Sequence, residues 1–217
     1  MPEFSHVYFY DDDQSNIYSV KKHLANKVTC TYFPNKTQEQ LTHDIYQTNP
    51  GDYINGIPLT EIRRIGFDVP ITYSLFAFDW DETISCVNGV SYPPLGPNES
   101  AISFDDARSL VFWPDGLEGY LVSIMGGPER ISAIRDMFDR LINHKNTVVI
   151  LTTNESASIY GMRGTRPLFI EMVNKLHPNI TVLSSYTHYP KMELNEETGH
   201  FEYASIKGNV LLEYLHS

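Results

Sequence analysis

With 217 residues, 41% of them hydrophobic and 20% charged, the chain suits one domain with a real core, or one domain with a modest insertion. A formal charge of −11 argues against a bulk electrostatic grip on nucleic acid or on an anionic membrane. No apolar stretch approaches the ~20 residues of a membrane span, Met1-Pro-Glu-Phe-Ser-His6 lacks the pattern of a Sec-type signal peptide, and neither Cys30 nor Cys86 has zinc-ligand spacing. These features imply a soluble, cytosolic chain with reduced thiols, and they leave one disulfide and export by another secretion route open.

In chain order, Val7-Tyr-Phe-Tyr10 predicts a short buried strand that runs into Asp11-Asp12-Asp13. Asp13 or Ser15 opens a helix through Ile17, Val20 and Leu24. Val28 to Phe33 alternates as a strand does and ends at Pro34-Asn35. Thr37-Gln-Glu-Gln40 resembles a capping box, so a helix with Leu41 and Ile45 facing inward is expected before Asn49-Pro50-Gly51. Leu59, Ile62 and Ile65 predict a short helix, and Ile71 to Phe78 a central strand. Residues 85–127 are broken by Asn88-Gly89, Pro93-Pro94, Gly96-Pro97 and Gly126-Gly127. They read as an irregular insertion with short strands at Ser109–Trp113 and Gly119–Met125.

Pro128 in a first turn opens the clearest helix, with Ile131, Ile134, Phe138, Leu141 and Ile142 on one stripe. Thr147 to Leu151 is a buried strand ending in Thr152-Thr153-Asn154. A helix from Pro167 to Leu176, a strand from Ile180 to Leu183, a polar loop or hairpin over 190–203 and a helix from Ser205 to Leu215 complete the chain. Strands alternating with helices predict an α/β fold of three layers, a mainly parallel sheet with helices on both faces.

The chemistry concentrates where apolar runs meet acids. Leu75-Phe-Ala-Phe-Asp79-Trp-Asp81-Glu-Thr83 ends a buried run in two aspartates, at the strand end where open α/β sheets place their sites. Acids this close repel one another unless a cation or phosphate chemistry needs them. A carboxylate in line with a phosphate can attack phosphorus, and a second one two residues on can protonate the leaving oxygen and then activate water. Mg²⁺ suits such a site because it takes oxygen ligands and neutralises phosphoryl charge. The bland alternative is a strand end with helix-capping aspartates.

Asp11 and Asp12 follow a similar run and could complete the metal shell; three consecutive acids leave open which of Asp11, Asp12 and Asp13 binds, and an N-terminal turn capped by Asp13 is the bland reading. Thr152 at a strand end can donate to a phosphoryl oxygen, with Thr153 competing for the role. Lys207 opening the last helix could neutralise nucleophile and phosphate, with Lys191 the weaker rival. A turn threonine and a surface lysine are the ordinary explanations of each alone. The eight histidines show no metal-like cluster; His43, His144 and His177 fall near helix ends.

Together these four elements resemble the haloacid dehalogenase-type phosphohydrolases. The first motif of that family is matched by Phe78-Asp79-Trp-Asp81-Glu-Thr83, the second by Val148-Val-Ile-Leu-Thr152, the third by Ser205-Ile-Lys207, and the fourth by Val7-Tyr-Phe-Tyr-Asp11-Asp12-Asp13-Gln-Ser-Asn16. Here the order is fourth, first, second, third, which a circular permutation explains. The resemblance covers residues 5–25 and about 72–217, with 26–70 bridging the permuted ends and 85–127 a small cap or flap.

The resemblance implies a Mg²⁺-dependent phosphatase with Asp79 as nucleophile and Asp81 as general acid/base. It assigns Thr152 and Lys207 to the phosphoryl group, and Asp79, the Asp81 carbonyl, and Asp11 or Asp12 to the metal. An acid at position 81 favours phosphatase over dehalogenase chemistry. A short, broken insertion implies an open site that would admit a phosphoprotein. Phosphotyrosine is the specific expectation, as in some bacterial effectors of the family delivered into host cells; Tyr92, Phe104, Phe112, Trp113 and Tyr120 could stack on a phenyl ring or base, although such aromatics more often simply pack the insertion. The alternatives are a small-molecule phosphomonoesterase, a phosphotransferase, and, from another class, a non-catalytic metal- or phosphate-binding module.

Overall fold

Strands buried on both faces are built from near-continuous apolar runs, and three such runs form the centre of a parallel sheet. The computed structural model describes residues 4–36, 55–67, 73–87, 116–160, 165–187, 191–194 and 201–217. Its strands are β1 (His6–Asp11), β2 (Val28–Tyr32), β3 (Ser74–Phe78), β4 (Thr147–Thr152) and β5 (Thr181–Ser184), in the order β2-β1-β3-β4-β5, all pairs parallel. The helices are α1 (Gln14–Leu24), α2 (Leu59–Arg64), α3 (Gly116–Ile124), α4 (Pro128–Asn143), α5 (Thr165–Leu176) and α6 (Lys207–His216). Met192–Leu194 and Phe201–Tyr203 form an antiparallel pair, β6 and β7, as the hairpin reading of 190–203 requires.

The period-2 alternation of the strands divides the core in two. Val7, Phe9, Leu75, Ala77, Val149 and Leu151 face α1 and α6, where Ile17, Val20, Leu24 and Leu211 meet them. Tyr10, Phe76, Phe78, Val148 and Ile150 face the other way, against side chains of α2 to α5 that include Ile62, Leu121, Phe138 and Phe169. The molecule is therefore a three-layer α/β structure with helices on both faces of a parallel sheet, as the alternation of elements predicts. Phe78 stacks on Tyr10 across the β1–β3 ladder and takes Phe138 edge-on, so the strands that carry the acids are fixed from one side by aromatic contacts.

One expected element is of the wrong type. The strand expected at Gly119–Met125 is the helix α3, and Tyr120, Leu121, Ile124 and Met125 are buried in the main core. A dense apolar run hides its own period: Leu117, Tyr120, Leu121 and Ile124 have helical spacing, but the residues between them are also largely apolar. Tyr120, which could have stacked on a ligand ring or simply packed the insertion, packs: it is 2% exposed among core side chains. The helix expected after Thr37, the strand at Ser109–Trp113, His43 and the aromatics Tyr92, Phe104, Phe112 and Trp113 lie outside the described residues.

Candidate active site

Register decides where the acids fall. Tyr10 pairs with Phe78 across β1 and β3, so the residues after them, Asp11 and Asp79, leave neighbouring strands at the same level. The Asp79 N–H still donates to the Tyr10 carbonyl at 2.9 Å, which holds this acid in the ladder. Phe78 pairs with Ile150 on the other side, which brings the end of β4 and Thr152 up to the same edge.

Past Asp79 the chain makes one wide turn over Trp80–Ile84, closed by Ile84 N–H to the Asp79 carbonyl at 3.3 Å and Ser85 N–H to the Trp80 carbonyl at 2.8 Å. Glu82 takes a left-handed conformation inside it, with φ +52°. Arg130 holds this turn from below. Its guanidinium, 1% exposed, donates to the carbonyls of Ile57, Thr83, Ile84 and Met125 at 2.5–3.3 Å. Four carbonyls converging on one fork satisfy a buried cation through dipoles.

Lys207 is the centre of the cluster. Its ammonium is fully buried and lies 2.7 Å from Asp11 Oδ2 and 2.6 Å from Asp79 Oδ1. Burial opposes its charge, but the two carboxylates more than offset this and hold its pKa above the ordinary lysine value. Burial pushes Asp79 upward; Lys207 pulls it down, while the Asp11 and Asp81 charges add to the rise. Asp11 is further held by Asn16 Nδ2 at 2.9 Å and the Asp13 N–H at 2.8 Å, both on Oδ1. Burial, with the Asp11 charge adding to it, pushes Asp12 up to about 6.

Carboxylate oxygens of Asp11, Asp12 and Asp79 lie within 4.8 Å of one another. An all-oxygen donor set of this size fits a hard divalent cation such as Mg²⁺ better than zinc, which favours His and Cys ligands. Asp13, third of the acid triplet, is exposed and caps α1 by accepting from the Ser15 N–H at 2.7 Å.

Asp81 turns toward β4. Its carboxylate accepts from Asn154 Nδ2 at 3.1 and 3.3 Å and from Thr152 Oγ1 at 3.4 Å. Thr152 is buried at this edge, whereas the neighbouring Thr153 is exposed. Lys191 is exposed at the foot of the β6–β7 hairpin, where its carbonyl accepts from the Ala204 N–H. The structure thus brings Asp11, Asp12, Asp79, Asp81, Thr152 and Lys207 to one edge of the sheet, and it leaves Asp13, Thr153 and Lys191 at the surface.

Four residues of this region were not singled out from the sequence: Asn154, Glu82, Asn35 and Arg130. Asn154 carries a local signal, since it also caps the turn Glu155–Ala157, with Oδ1 accepting from the Ser156 N–H at 2.9 Å. The others act on partners remote in sequence. Beside the cluster opens a cleft of about 200 Å³ lined by Ser15, Asn16, Thr153, Ser185, Tyr186 and Ser205 among others. Cys30 and Cys86 are free thiols, and no helix among the described residues is long and apolar enough to cross a membrane. No protein-family model matches the chain, and no curated protein matches it.

Proposed function

We propose that this chain is a Mg²⁺-dependent phosphomonoesterase working through an aspartyl-phosphate, and a circularly permuted relative of the haloacid dehalogenase-type phosphohydrolases. The observation that carries the reading is the convergence of Asp11, Asp79 and Lys207 at 2.6–2.7 Å, from positions 128 and 196 residues apart in the chain. A purely structural strand end would leave such acids solvated, because burying an ion pair contributes little net stability. Asp11, Asp12, Asp79 and the Asp81 carbonyl would hold Mg²⁺, which when bound neutralises charge on the phosphoryl oxygens.

In the first step a carboxylate oxygen of Asp79 forms a bond to phosphorus while the bond to the leaving oxygen breaks. Asp81, in its acid form, gives its proton to that oxygen. In the second step the Asp81 carboxylate takes a proton from water, whose oxygen attacks phosphorus. The Asp79–phosphorus bond breaks, inorganic phosphate leaves and both acids regain their starting forms. Lys207 keeps a positive charge beside the nucleophile throughout, and Thr152 offers its hydroxyl to a phosphoryl oxygen. Asn154 and Thr152 hold Asp81 between turnovers.

Hydroxyls of Ser15, Thr153, Ser185 and Ser205 line the cleft, together with the Asp13 carboxylate and the Tyr186 ring. A small phosphomonoester is the first substrate reading because, of the aromatics offered for ring stacking, the one described, Tyr120, is in the core. A phosphoprotein remains the second reading, with a phosphopeptide, sugar-phosphate and nucleotide panel to separate them. A cytosolic setting is supported by the free thiols of Cys30 and Cys86.

The test is hydrolysis of para-nitrophenyl phosphate with Mg²⁺, with EDTA, and by Asp79→Asn. Turnover is expected only with metal, and the variant should lose at least about a thousandfold, on the scale of losing a nucleophile. No metal-dependent turnover, or full activity in the variant, overturns the reading.

A further inference from the structure

We infer that Asn35 is a positioning residue for the Asp12 carboxylate, so that the residues just after β2 complete the metal site. The inference rests on Asp11, Asp12 and Asp79 being the metal ligands.

The path begins with register. β2 runs parallel to β1 with Tyr32 opposite Asp11, and the Phe33 N–H extends the ladder to the Asp11 carbonyl at 3.0 Å. Two residues later Asn35 therefore stands alongside Asp12. Its Nδ2 lies 2.9 Å from Asp12 Oδ2 and 2.8 Å from Glu82 Oε2. An amide nitrogen carries two hydrogens, so each carboxylate receives one. The carboxamide oxygen could not occupy that place between two anions, which fixes the orientation of the amide.

Glu82 is itself held. Asn55 Nδ2 donates to its other oxygen at 2.7 Å, while Asn55 Oδ1 accepts from the Lys36 N–H at 3.1 Å. The left-handed backbone of Glu82, uncommon for a residue with a side chain, carries its carboxylate to these amides. Residues 35, 36 and 55 thus close a ring of hydrogen bonds with the turn that follows the nucleophile.

This ring matters for charge. Asp12 and Glu82 are like-charged and face one donor; without it they repel, and Asp12 can rotate out of the cluster. On its other oxygen Asp12 receives a 3.3 Å contact from Thr83 Oγ1. Residues that orient a ligand from outside the coordination sphere typically change metal affinity by about 10–100-fold. Asn35 is exposed, so its side chain can be removed without opening the core.

The test uses calorimetric titration of the full chain with Mg²⁺, repeated with Mn²⁺, beside thermal melting in EDTA. For Asn35→Ala the dissociation constant should rise about tenfold while the metal-free melting temperature stays at the wild-type value. Glu82→Gln should weaken binding less, and the double variant should bind no worse than Asn35→Ala, because Glu82 acts through Asn35. Wild-type affinity in Asn35→Ala overturns the inference, as does a lowered metal-free melting temperature with affinity intact. If the wild-type chain takes up neither ion, the metal reading itself fails, which is a distinct result.

Discussion

At the scale of single residues, Lys207 decides the state of the site. Without its ammonium two buried carboxylates would face each other uncompensated. Lys207→Met should therefore destabilise the fold by about 3–5 kcal/mol in urea denaturation, and adding Asp11→Asn and Asp79→Asn should recover most of that loss. A variant as stable as wild type would show that the acids are already neutral. Asp12 makes a separate prediction. Its pKa rises to about 6 in the folded chain from an ordinary 3.8. The folded state thus binds the proton more tightly, and the stability Asp12 contributes is full below about pH 4 and is lost as pH rises to about 6. In EDTA, melting temperatures of Asp12→Asn should fall less than those of wild type across that window. Identical slopes would assign the titration elsewhere.

Among the elements, the turn Trp80–Ile84 depends on groups far from it in sequence. Gly56, at φ +99°, passes so close that a Cβ there would sit 2.9 Å from Arg130 Nη2 and from the Thr83 and Ser85 carbonyls. Gly56→Ala should cost about 1–3 kcal/mol by combining backbone strain with displacement of the Arg130 fork, read by denaturant midpoint. A neutral result would mean that the turn yields freely. The sequence did not disclose this clamp, because Arg130 acts on the Ile57 carbonyl 73 positions away and carbonyls carry no residue-type signal. Asn35 and Asn55 were hidden because their carboxylate partners lie 23 to 47 positions away. By contrast β1, β3 and β4 were legible, since strands covered on both faces must be apolar throughout and stop where polar residues begin, acids after β1 and β3 and Thr152-Thr153-Asn154 at the end of β4. α3 was misread because a run apolar at nearly every position satisfies a strand and a helix alike.

For the whole molecule, the three-layer arrangement followed from the alternation of strands and helices, and the described structure has it. The meeting of the acid runs at one edge was legible too: each ends a strand, and parallel strands share a direction, so their C-terminal ends must lie together. What pattern could not supply is which oxygen meets which donor, because this depends on register and rotamer. Lys207 follows Asp11 by 196 positions and Asp79 by 128, so translation delivers the acids well before the base. Until then, laying β3 beside β1 brings the Asp11 and Asp79 carboxylates together without the ammonium that joins them in the folded chain. The arrival of α6 removes that penalty, and the segment that carries Lys207 acts as the latch that lets the centre of the sheet close.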